Sequence, residues 1–509
     1  MGPGGPGRVG ALLLALAAVA LAGCRSGTGP TDPAGAVVQT SSGAVRGVEL
    51  DGVTSWRGIP YAAPPVGDLR WRAPEPPGPW DGVRDAAEYG PVCPQGPAST
   101  MSDALREAAR GSEDCLHLNV HRPADAGSGM PVMVWIHGGG FALGSGSRAL
   151  FNSPELVRRG VVLVTLNYRL GALGFLAHPA LQTDGTRVGN FALLDQIAAL
   201  RWVQDNIEAF GGDPSNVTIF GESAGGISVN ALMAAPSAEG LFAKAISQSG
   251  FGREGALGWD TAVALGEQAV RPLVGAEATA ADLRALDAEA VMQVSTGILG
   301  GLAPIADDVL PRAVSATFAA GDEADVPYVV GSTDSEVPRA PVEQLGPEAG
   351  KVWGSLRTGL APEVTAAYGG DEQRDLHLGS DLLFTEPARH LARTHSDDAP
   401  TYLYRFAVAP DPVLAADGGA PHTAELAFVF DDTERQGTPV ANAGALADQV
   451  ADLWVDFATD GEPEGWPLAG TGRILSFGPD GPIALADPWG PRLDLVQTGY
   501  DLAQPQGPA

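Results

Sequence analysis

Two short segments, Pro131-Val132-Met133-Val134-Trp135-Ile136 and Val161-Val162-Leu163-Val164, are apolar without interruption. A strand with one wet face alternates apolar and polar residues, so continuous runs of this length read as strands buried on both faces. Such strands belong to parallel or mixed sheets covered on each side by helices. Similar runs recur at Asn216–Phe220, Lys244–Gln248, Val326–Gly331 and Thr401–Phe406. Between them, Asn190–Phe210 carries Leu193, Leu194, Ile197, Leu200, Val203 and Ile207 mainly three and four residues apart, which predicts an amphipathic helix. Ala224–Ala235 and Ala443–Thr459 predict two more. This alternation is the doubly wound α/β pattern, with a large, mostly parallel central sheet. Gly43–Gly47 and Trp56–Tyr61 read as edge strands. The less patterned stretches 252–303 and 338–377 read as helical insertions over one end of the sheet. No sharp linker divides residues 37–505, which are taken as a single domain.

The first residues read as a targeting segment. Arg8 precedes a small and apolar run from Val9 to Ala22, shorter than the ~20 residues a spanning helix needs and typical of a signal peptide, here residues 1–23. The run ends in Leu21-Ala22-Gly23-Cys24, which resembles a bacterial lipobox. Cys24 is then the lipidated first residue of the mature chain and 24–36 a flexible tether to the outer face of the cell membrane; full secretion is the alternative. Export to an oxidising compartment leaves Cys93 and Cys115 to form a disulfide, worth about 3 kcal/mol in the chain-entropy model. Three cysteines with no clustered histidine give no structural zinc site. A formal net charge of −30 repels phosphate backbones and argues against nucleic-acid partners. Contact with the membrane is expected through the lipid on Cys24 alone.

The segment Phe220-Gly221-Glu222-Ser223-Ala224-Gly225-Gly226 follows a predicted strand and opens a predicted helix. Glycines two residues either side of the serine permit a sharp turn that projects its hydroxyl at a helix N-terminus. A serine hydroxyl needs a base to become nucleophilic, and the base an orienting acid. In the chain order serine, acid, histidine, His422 is the base. His137 ends a strand directly before Gly138-Gly139-Gly140 and fits another task. Consecutive glycines let backbone N–H groups converge on one point, so Gly139 and Gly140, with Ala224 after the nucleophile, form an oxyanion hole. The acid lies after the strand at Val326–Gly331, where Asp334 and Glu336 both qualify on chemistry.

These residues resemble the type-B carboxylesterase/lipase family, which includes the cholinesterases and bacterial para-nitrobenzyl esterases. The motifs carrying the resemblance are Phe210-Gly211-Gly212-Asp213-Pro214-Ser215-Asn216-Val217-Thr218-Ile219-Phe220 running on to Gly226, Arg57-Gly58-Ile59-Pro60-Tyr61-Ala62, and Ser112-Glu113-Asp114-Cys115-Leu116-His117-Leu118-Asn119-Val120. The resemblance spans nearly all of the mature chain. It implies the α/β-hydrolase fold and a Ser-Glu-His triad with Glu336 as the acid. It places His422 in a Gly-Ala-x-His-x-x-Glu-Leu pattern, pairs Cys93 with Cys115, and makes Glu222 and Ser249 buried partners near the catalytic histidine. His117 stands where the family usually has Tyr, and Thr333 and Val337 where it has Asn and Gly around the acid. The loop between Cys93 and Cys115 has no aromatic residue, which speaks against choline esters. The implied activity is hydrolysis of carboxylic esters through an acyl-enzyme, without cofactor or metal. Amide or carbamate hydrolysis by the same residues, and a non-catalytic binding protein on the same scaffold, are the alternatives.

Overall fold

The computed structural model describes residues 36–96, 111–182, 185–253, 257–295 and 304–503. The expected signal peptide, Cys24 and all but the last residue of the expected tether lie outside the described residues. In chain order the strands are β1 (Val37–Thr40), β2 (Gly43–Arg46), β3 (Val48–Leu50), β4 (Val53–Pro60), β5 (Val83–Asp85), β6 (His117–Pro123), β7 (Met130–Ile136), β8 (Val162–Leu166), β9 (Gly212–Glu222), β10 (Lys244–Gln248), β11 (Tyr328–Thr333), β12 (Thr401–Phe406), β13 (Arg473–Gly478) and β14 (Gly481–Ala486). Eleven of them form one sheet in the order β14-β13-β12-β11-β10-β9-β7-β8-β6-β4-β3. From β13 across to β8 every pairing is parallel, while β6, β4, β3 and β14 join antiparallel. β1, β2 and β5 form a separate small sheet.

The apolar runs explain the layering. Along β7, Val132, Val134 and Ile136 point to one side and Met133 and Trp135 to the other, and both sets are buried. The first side packs against α1 (Phe191–Asn206), α2 (Ala224–Met233) and α3 (Glu386–His395), through Leu193, Ile197, Val229, Leu232 and Leu391. The second packs against α4 (Ala443–Asp460), through Leu446, Val450, Trp454 and Phe457. Truncating any of these to Ala costs about 2–5 kcal/mol.

One region differs from the sequence reading. Trp56–Pro60 pairs with β6 on one side only, since β3 covers just Val53–Ser55 of β4, and this stretch is an edge as expected. Gly43–Arg46 is instead central, flanked in the small sheet by β1 and β5. The insertions are helical as expected, with helices at Trp259–Val274, Ala280–Arg284 and Ala288–Ser295, and at Pro347–Gly359, Ala361–Ala367 and Asp371–Ser380. Among the described residues no helix is long and apolar enough to cross a membrane.

Candidate active site

Five adjacent parallel strands, β7, β9, β10, β11 and β12, deliver the site at their carboxyl ends. β9 ends at Glu222 and α2 begins at Ala224, so Ser223 alone makes the turn. Its φ of 57° and ψ of −122° lie where a non-glycine residue is strained by about 1–3 kcal/mol. The surroundings hold it there. Its N–H donates to Gln248 O at 2.9 Å, and its carbonyl accepts from the Ile227 N–H at 2.9 Å. The flanking glycines are required by contact. A Cβ on Gly225 would lie 2.0 Å from the Ile136 carbonyl oxygen, and one on Gly221 would lie 2.6 Å from Gly225.

β7 delivers the glycine run to the same place. A Cβ on Gly138 would stand 2.6 Å from Glu222 O and 3.1 Å from Ser223 Cβ, so this backbone lies directly against the serine turn. Gly139 and Gly140 take φ of 116° and 61°, which turn the loop back on itself. Among the described residues, the amides of Gly139, Gly140 and Ala224 donate to no backbone carbonyl outside regular helices and strands. His137 is fully buried and stacks on Tyr168 at 4.4 Å. Burial lowers its imidazole to about 4, so it is neutral and can donate from Nδ1 to the Gly138 carbonyl oxygen, 2.9 Å away. The disulfide between Cys93 and Cys115 forms. Two residues beyond Cys93, the Gln95 side chain donates to Gly144 O at 2.6 Å and accepts from Gly144 N–H at 3.2 Å, tying that segment to the glycine loop.

β10, β11 and β12 supply the rest, with Ser249 directly after β10. Glu336 is buried just past β11. Its Oε2 lies 2.5 Å from His422 Nδ1, and its Oε1 accepts from Ser249 Oγ at 2.6 Å and from the Thr333 N–H at 2.8 Å. Glu222 Oε1 stands 3.2 Å from His422 Nε2, off the line of a hydrogen bond. Ser223, Glu336, His422, Gly139, Gly140, Ala224, Glu222 and Ser249 are therefore gathered into one locus. Asp334, the other acid considered, does not reach the histidine; its carboxylate accepts from the Ala420 N–H.

The Carboxylesterase family profile matches residues 34–345 and 369–479. The chain belongs to the carboxylesterase family. It is a type-B carboxylesterase, a serine hydrolase. It is 39% identical over 460 residues to the para-nitrobenzyl esterase of Bacillus subtilis (strain 168), covering 85% of this chain and 92% of that one. It is 37% identical over 499 residues to a fumonisin B1 esterase of Sphingopyxis macrogoltabida, covering 88% and 87%. The solved structure of a thermophilic PNB esterase superposes with a TM-score of 0.79 at 36% identity, over 90% of this chain and 99% of that one.

The electrostatics of this carboxylesterase centre on an excess of carboxyl groups. The His422 side chain is 29% exposed. Burial pulls its imidazole down, but Glu222 and then Glu336 outweigh this and lift it to about 10. Burial pushes Glu222 up, with His422 opposing and Glu336 reinforcing. Glu425, fully buried three residues beyond His422, is also pushed up, first by burial and then by Glu222 and Glu336. With Glu222 carrying a proton, the largest upward pull on His422 is gone, and the imidazole moves toward the neutral form that a base requires. Glu425 was given no role from sequence; the signal for it was a lone acid in the apolar run Ala424-Glu425-Leu426-Ala427-Phe428.

One wall of the esterase site was also not anticipated. Residues Asp381–Thr385 form a buried turn of π-helix between the helix Asp371–Ser380 and α3. From this turn Phe384 packs 5.3 Å from the His422 ring and 4.8 Å from Phe251. π-Turns inside α-helices occur frequently at functional sites.

Proposed function

We propose that Ser223 is the nucleophile of an acyl-enzyme mechanism, with His422 as general base and acid and Glu336 as its orienting carboxylate. The observation carrying this reading is the 2.5 Å contact between Glu336 Oε2 and His422 Nδ1, beside a serine held in a strained turn against a glycine loop. His422 Nε2 takes the hydroxyl proton as Ser223 Oγ bonds to the ester carbonyl carbon. The carbonyl π electrons move onto oxygen, where the N–H groups of Gly139, Gly140 and Ala224 receive the charge. Collapse breaks the bond to the alcohol oxygen, and His422 returns the proton to that leaving group. Water then adds to the acyl-enzyme, giving its proton to His422. The carboxylic acid departs as Ser223 recovers a proton. Glu336 fixes the tautomer and stabilises the imidazolium throughout.

A first substrate panel is para-nitrobenzyl and para-nitrophenyl esters of graded acyl length, after the name of the Bacillus relative. Ser223→Ala must abolish turnover and labelling by a fluorophosphonate; parent-like turnover in that variant overturns the assignment. The same reading includes export and tethering through a lipid on Cys24, with residues 37–505 as one catalytic domain. Its support is the apolar run ending at Cys24 and the polar stretch after it. Cys24→Ser should move the enzyme from the membrane fraction to the medium, and an unchanged distribution refutes the lipid.

A further inference from the structure

Three consecutive residues at the end of β11 each hold the loop that carries His422, and only the third belongs to the triad. The Asp334 N–H donates to Phe406 O, the last residue of β12, at 3.0 Å, and its carboxylate accepts from the Ala420 N–H. The Ser335 N–H donates to Ala420 O at 3.0 Å and its hydroxyl to Asp417 O at 2.5 Å, while Ser335 pairs with Pro421 in a parallel bridge. Glu336 then meets His422 itself. The fit is close: a Cβ on Gly419 would lie 2.4 Å from Asp334 Oδ1, so the carboxylate rests on bare backbone. Arg405 and Glu336 are the charged groups that act on this carboxylate.

We propose that Asp334 and Ser335 form a positioning clamp that fixes the 417–422 loop, and with it the His422 imidazole, relative to Glu336 and Ser223. This rests on the triad reading above. A single hydrogen bond donated to Glu336 restrains His422 at one point and leaves the ring free to pivot. Backbone anchors at Asp417 and Ala420 remove that freedom, because the chain from Ala420 to His422 spans only one intervening residue. Misplacement of a reacting group by about 1 Å costs on the order of a hundredfold in rate, so the clamp acts on kcat. Neither residue touches the reacting atoms.

The test compares Asp334→Ala, Asp334→Asn and Ser335→Ala with the parent full-length enzyme, measuring kcat and KM on a para-nitrophenyl ester together with melting temperature. Asp334→Ala is expected to lower kcat about tenfold to a hundredfold with KM unchanged within about twofold. Asp334→Asn keeps an oxygen that can accept from Ala420 and should recover most of the loss. Ser335→Ala should lower kcat in the same manner, and it decides the matter if Asp334→Ala does not fold. Parent-like kcat, a loss confined to KM, or Asn no better than Ala overturns the clamp. Ser223→Ala, run alongside, separates the two readings. If it is inactive while the clamp variants behave like the parent, only the clamp fails; if it remains active, the triad fails first.

Discussion

Replacing Glu336 by Gln changes one atom, and the structure dictates which way the new amide must face. The Oε1 position receives two donors, the Thr333 N–H at 2.8 Å and Ser249 Oγ at 2.6 Å. A serine hydroxyl can rotate and accept, but a backbone N–H cannot. The amide oxygen must therefore stay at that position, and the NH2 group must face His422 Nδ1, where Oε2 stood at 2.5 Å. Nδ1 is then forced to accept, which puts the ring proton on Nε2, the atom that should take the proton from Ser223. The variant keeps its shape and loses its base. Tautomer reversal of this kind costs about 10⁴ in kcat, about 5 kcal/mol of barrier. The assay is steady-state hydrolysis of a para-nitrophenyl ester by Glu336→Gln and by the parent, with circular dichroism to establish equal folding. A loss in kcat below about tenfold in a folded variant would refute this reasoning, because it would mean that the ring retains its working tautomer without Glu336.

Three further outcomes are expected. Glu222→Gln removes the largest upward pull on His422; since the base works only when deprotonated, activity rises with pH through its pKa, and the rising limb of kcat/KM should move to lower pH. A limb that stays put or moves upward contradicts this. Asp195→Asn breaks the buried pair in which Arg169 Nε and one terminal nitrogen donate to Asp195 at 2.8 and 2.7 Å; stranding that guanidinium should lower stability by about 3–5 kcal/mol, read by urea titration. Replacing Cys93 and Cys115 together by Ala opens a loop with a sequence separation of 22 and should remove about 3 kcal/mol of stability, while a calorimetric change near zero would show that the closed loop does not constrain the unfolded chain.

The sheet centre was legible because its strands must bury both faces: Lys244–Gln248 and Thr401–Phe406 match their observed bounds, and β7 and β8 fall within a residue or two of the expected runs. The periphery was not. β14 lies at the edge of the sheet with β13 beside it, and neither has a regular burial period: Ile474 and Leu475 are buried side by side in β13 and only Gly481 is buried in β14, while the helix Gly490–Ala503 buries only Leu493, Val496, Tyr500, Arg492 and Gly499, so neither pattern stands out from loop. The serine turn was legible because contact at Gly221 and Gly225 excludes any side chain. The acid was not separable on chemistry, since Asp334 and Glu336 are both acids in the same exit from β11. What distinguishes them is the loop after β12, whose Ala420 takes one and whose His422 takes the other, and pairing across that distance leaves no local trace. Glu425 escaped for a related reason: its effect comes from the carboxylates packed around it, not from its neighbours in sequence.

The π-turn at Asp381–Thr385 has a consequence for how this pocket can change. A π-turn is an α-helix with one residue too many, and each residue in a helix advances the face by about 100°. The wider turn takes up that extra residue locally instead of passing the rotation along the chain, so deleting one residue there restores ordinary helical geometry while the helices on either side keep their phase. Only the side chains within the turn are re-aimed, among them Phe384 beside the His422 ring, while Ser223, Glu336 and the glycine loop stay on their own strands. The chain thus carries a one-residue vernier beside His422, through which the loss or gain of a single codon can re-aim this wall without moving the residues proposed to cut the ester.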